Sequence, residues 1–146
     1  MSNSVSDEKE VKEINRPTGA WFSIIFCFAY VILFSFIVVM TQLSLFPAND
    51  PQGYYFQKSG MALNLSTNAL FAASLAVALF NLRSSAVYLS LGMFLFDFIS
   101  TSYWFFTSNW LAEVGVVGMT VATIFWCGSL VIFLYCLSLR QRELLN

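Results

Sequence analysis

Histidine is absent from all 146 residues, and only 10% of them are charged. The first absence removes the usual axial ligand of a haem held in a helical bundle, together with the commonest zinc ligand. The second lies far below the roughly one quarter charged residues of a soluble domain. Seven Lys and Arg against eight Asp and Glu leave a formal net charge of −1. Binding to nucleic acid needs clustered cations along a phosphate path, so that class of partner is excluded. The three cysteines, Cys27, Cys127 and Cys136, all fall within apolar runs and form no C-x-x-C pair. They read as reduced packing residues and not as a thiol–disulfide relay; acylation of Cys136, near a membrane boundary, is the minor alternative. No catalytic signature, metal-ligand cluster or nucleotide-binding loop is found, so no cofactor is expected.

What the chain has in abundance is apolar surface, with 58% hydrophobic and 18% aromatic residues. Four long apolar runs, 20–45, 61–82, 86–107 and 111–139, are each long enough at about 1.5 Å per residue to cross a roughly 30 Å hydrocarbon core. The expected fold is therefore all-α, an integral membrane four-helix bundle, with the transmembrane domain over 20–139. A polar tail, 1–19, precedes it and a short tail, 140–146, follows. In the first tail Ser6, Asp7, Glu8 and Glu10 could open a short partner-docking helix, although a solvated tail is the simpler expectation. The first apolar run far exceeds the about 7 to 15 residues of a secretory h-region and is expected to stay as an anchor.

Boundaries are marked by familiar chemistry. Pro47, Asn49, Asp50, Pro51 and Gly53 cannot continue a helix, and Tyr54, Tyr55 and Phe56 suit an interfacial aromatic belt. A short link containing Arg83, Ser84 and Ser85 makes the second and third runs an antiparallel hairpin. The second run is rich in Ala and Ser and is expected at the bundle centre, since small side chains let helix backbones approach closely in lipid. Asn109 is placed to cap the fourth helix, with Glu113 in its first turn and Gly118 and Ala122 at a close-contact spacing. Lys9, Lys12, Arg16, Arg83, Arg140 and Arg142 fall on one side of this topology and Lys58 on the other. By the positive-inside rule both termini are cytoplasmic, and the expected location is a plasma or bacterial inner membrane.

One residue contradicts its surroundings. Asp97 lies near the middle of the third run, where an ionised carboxylate opposes insertion by about 2.5 to 3.5 kcal/mol. The ten Leu, Ile, Phe and Val residues between Val87 and Phe106 offset this by only about 0.3 to 0.6 kcal/mol each. Such acids usually face a bundle interior or a wet cavity. Depth counted along the helices brings Asn68 level with Asp97. Ser100 and Thr101 share the face of Asp97, and Asn64 and Thr67 that of Asn68, by i+3 and i+4 spacing. Glu113, Thr120, Thr123 and Cys127 form one stripe on the fourth helix, and Ser35 reaches a similar depth. The candidate polar site is thus Asp97, Asn68, Asn64, Ser100, Thr101, Thr120, Thr123 and Glu113, in the outer half of the bundle.

Two functions of different class follow. The leading expectation is a non-enzymatic accessory or assembly subunit of a membrane complex, because no Lys or Arg lies within the membrane and a partner chain could supply the missing cation. The alternative is a small oligomeric transporter or channel with Asp97 as its proton- or cation-coupling group. Against both stands a purely structural role, in which Asp97 bonds Asn68 and Thr101 and sets helix register. The 16 Phe suit ordinary bilayer contact, with a sterol or pigment groove as the lesser option. An enzyme is not expected, since the only acids in or beside the membrane, Asp97 and Glu113, lie on different helices. The expected partners are the lipid bilayer and either another membrane protein or a second copy of the chain.

Overall fold

The computed structural model describes residues 17–43, 45, 60–107 and 110–145. They form four helices: α1 (Thr18–Gln42), α2 (Met61–Phe80), α3 (Ser85–Thr107) and α4 (Trp110–Gln141). Each contains a stretch long and apolar enough to cross a membrane. The expected charged tail 1–16, the 46–59 loop with its aromatic belt and Lys58, and the Asn109 cap lie outside the described residues.

Helix ends follow from backbone chemistry. Pro17 precedes α1, where its missing N–H removes nothing a helix start would use. Gly60 precedes α2 at φ 90°, a conformation open to glycine and costly for other residues. The expected end of the second run at residue 82 is two residues too late. α2 stops at Phe80 because Leu82 turns to φ 49° and Arg83 N–H reaches back to Ala78 O at 2.9 Å, closing the last turn. α4 is broken at Gly115, where φ is 66°, and its membrane-length stretch among the described residues is Gly118–Gln141. The helix begins at Trp110, so Glu113 falls in its first turn, and the break at Gly115 follows that turn.

Sequential helices pack side by side and antiparallel. Ring contacts fix the pairing: Trp21 with Phe80 at 6.4 Å, Phe71 with Phe96 at 5.9 Å, and Phe98 with Trp126 at 5.1 Å. The α1–α2 seam is the most extensive, while the α1 and α4 backbones stand apart and meet through their side chains, and among the described residues the two diagonals of the bundle make no close backbone contact. Small residues explain the tight seam. Ala72, Ala76 and Ala78 are buried on α2, and 39% of the membrane-length stretch of that helix is buried against 17% in α4. Both described chain ends and the 81–84 link share one end of the bundle, with Arg83, Arg140 and Arg142 exposed there.

The core is densest toward that link end, where Leu75, Leu79, Ala86, Met93 and Cys136 are fully buried. The exterior is rich in large apolar side chains, with Phe22, Leu63 and Phe106 at 70%, 72% and 83% exposure. A water-soluble monomer rarely exposes so much apolar surface, whereas hydrocarbon accepts it without cost.

Candidate functional site

Four inward-facing stripes carry the site. On α3 the buried residues Ala86, Val87, Ser90, Met93 and Asp97 recur at helical spacing, so Asp97 points inward by register. The stripe of α1 runs through Ala20, Ile24, Cys27 and Tyr30, and that of α2 through Met61, Leu65, Asn68 and Ala72. On α4 the inner residues are Ser129, Ile132, Cys136 and Leu139, which continue the line of Ala122 and Phe125.

Asp97 and Tyr30 meet across the diagonal of the bundle. Tyr30 Oη donates to Asp97 Oδ1 at 2.7 Å, and the two side chains are 1% and 7% exposed. Both lie near the midpoints of their helices. Tyr30 reaches across because two rings hold it from the sides: Phe34 at 4.2 Å and Phe125 at 4.6 Å, both edge-on. These rings fill the α1–α4 seam where the backbones stand apart. Asn68 Nδ2 donates to Asn64 Oδ1 at 3.2 Å, which turns the Asn68 amide hydrogens toward its own helix. Among the described residues, Asp97 Oδ2 and Asn68 Oδ1 are buried acceptors without a hydrogen-bond partner.

Both residues line one cavity of about 160 Å3 to which all four helices contribute. Its polar wall is Asp97, Asn64, Asn68, Ser100 and Thr101, on α2 and α3. Rings form much of the rest: Tyr30 and Phe34 from α1, Trp104 from α3, and Phe125 and Trp126 from α4. Gly118 and Ala122 are the small residues that leave the space open on the α4 side.

Five of the eight residues expected from the sequence are therefore brought together. Thr120 and Thr123 are not among them. Both are exposed, and their hydroxyls donate back to Val116 O and Met119 O at 2.9 Å. A threonine satisfied by its own helix has no need of an interior partner, so this stripe of α4 faces outward, and Cys127, expected as a packing residue, is exposed with it. Ser35 is likewise exposed. The side chain of Glu113 lies outside the described residues. The expected bond from Asp97 to Asn68 or Thr101 is replaced by the one from Tyr30, which the sequence reading passed over. A tyrosine midway along the most apolar helix, with no interface for its hydroxyl to reach, was the available signal.

Chemically, the site is one carboxylate tethered by a phenol, its second oxygen unpartnered, on a residue that lines a cavity with no basic side chain on its wall among the described residues. Fold and site together define an all-helical bundle, four of whose helices could each cross a membrane, with an acid–phenol pair joining opposite helices. In comparisons with known proteins, no family model, no curated protein and no solved structure matches the chain.

Proposed function

We propose that this chain is a multi-pass integral membrane protein, with both ends cytoplasmic, that takes a proton, a cation or a small polar ligand into its Asp97 cavity as a small transporter or channel. The observation that carries the reading is Asp97 itself: buried at mid-helix, held through one oxygen by Tyr30, its other oxygen unpartnered, on the wall of a cavity all four helices line. Membrane acids arranged this way serve as coupling or counter-ion groups. An accessory-subunit role asked for an acid that a basic residue of another chain could reach. With Asp97 closed in by its own bundle, that role has less support.

Reconstitution in liposomes tests the proposal. Asp97→Asn should abolish proton- or monovalent-cation-driven flux that the native chain supports, and flux left intact in the variant rejects the coupling role. The orientation rests on the six cations placed on one side against Lys58 on the other. An impermeant thiol reagent applied to intact cells should modify a cysteine placed at Lys58 and spare one placed at Ser84; the reverse pattern inverts the topology.

A further inference from the structure

We infer that the ligand of this cavity is a small protonated primary or secondary amine with a ring-sized apolar body, its N–H groups shared between Asp97 Oδ2 and Asn68 Oδ1. This rests on the preceding reading that the cavity binds a ligand, and adds which chemical class it takes.

Three features of the wall select that class. The first is the pair of orphaned acceptors. Asp97 and Asn68 are 7% and 3% exposed, and each keeps an oxygen without a donor. A buried acceptor left unpaired is costly, and no side chain on the wall answers it, so the occupant must bring the hydrogens. The second is charge. Among the described residues Asp97 is the only acid on the wall and no Lys or Arg joins it there, which makes a single positive charge the complement. The third is the rings. Tyr30, Phe34, Phe125 and Trp126 stand around a site with one carboxylate, and aromatic faces attract ammonium groups while packing against carbon.

An inorganic cation fits the same wall poorly. Hard divalent ions take about six or more oxygen ligands, and most of this lining is carbon, so the lost hydration shell would not be replaced. A quaternary ammonium carries the charge and lacks the N–H groups, leaving both orphans unanswered. Size narrows the body of the ligand. The cavity of about 160 Å3 is close to an engineered protein cavity of roughly 150 Å3 that accepts benzene. Trp126, on the α4 wall, also has its indole N–H buried without a partner.

Benzylamine is the matching probe, titrated into the full chain in mild detergent by calorimetry. Benzyl alcohol, benzyltrimethylammonium and sodium chloride serve as comparators. Saturable benzylamine binding is expected, weakened about tenfold or more by Asp97→Asn and several-fold by Asn68→Leu, with both benzyl comparators at least about tenfold weaker. Circular dichroism and a monodisperse elution profile establish that each variant is folded, and Tyr30→Phe provides a third variant on the opposite helix. If benzyl alcohol or benzyltrimethylammonium binds as well as benzylamine, the amine assignment is overturned. If sodium alone binds in an Asp97-dependent manner, the assignment falls and the cavity's role in binding stands. If no probe responds to Asp97→Asn and flux in liposomes is also unaffected, both fall.

Discussion

Toward the 81–84 link, the inner face of α3 is filled by Ala86, Val87, Ser90 and Met93, all buried, and the Ser90 hydroxyl donates to Val87 O at 2.9 Å. One turn beyond Met93 on the same face, Asp97 keeps an oxygen with no partner and faces a cavity. The contrast between these halves is not one of polarity. Ser23, Ser90 and Ser129 are all buried polar residues of the packed half, and each donates to a carbonyl three or four residues back in its own helix. A carboxylate has no such recourse, because an ionised acid only accepts hydrogen bonds and the helix carbonyls beside it only accept as well. Its partner must come from another helix, as Tyr30 does, or from a ligand. The buried serines of the packed half are thus locally self-sufficient, and Asp97 in the cavity half depends on tertiary structure or on an occupant.

Breaking the packed half should produce the largest effect on stability. Leu79 is fully buried at the centre of the link-end cluster. Leu79→Ala should cost about 2 kcal/mol, the low end of the range for such truncations, because helices separated in lipid keep apolar surroundings and only the packing is lost. Reversible denaturation in detergent measures this, and ligand binding in the surviving folded fraction should be unchanged. A cost near zero would mean that the two halves do not differ in what holds them. Tyr30→Phe probes the other half with a smaller expected loss of about 1 kcal/mol, since hydrogen bonds between membrane helices average about 0.6 and reach about 1.7. Amine binding should fall with it, because the carboxylate loses its tether. Thr123→Val sets the baseline: an exposed hydroxyl bonded to its own helix should shift stability by no more than about 0.5 kcal/mol. A Tyr30→Phe variant indistinguishable from that baseline refutes the diagonal bond.

Much of the fold was legible because helix length and apolar content are local properties. The four runs read from the sequence coincide with the four helices to within a few residues, and the earlier end of the second traces to a single backbone position, the turn at Leu82. The small-residue texture of the second run also translated directly into burial. The site was legible in part. Asp97, Asn68, Asn64, Ser100 and Thr101 could be grouped by depth and face, and they share one wall. Tyr30 could not, because depth alone does not say which side chain crosses a bundle. Thr120 and Thr123 were misplaced because a hydroxyl on a membrane helix carries no information about facing when the backbone one turn back can satisfy it.

By itself the sequence determined the four long apolar helices, their approximate spans, the excess of cations at one end, and the presence of an acid in apolar surroundings. Each of these depends on composition within a single segment of about 20 residues, the length that crosses a bilayer. Only the tertiary structure decided which side chain meets Asp97, which face of α4 turns inward, and that an oxygen is left over at a cavity. Those outcomes depend on the rotation of each helix about its own axis and on the unequal seams between neighbours, and both are set by packing among residues far apart in the chain.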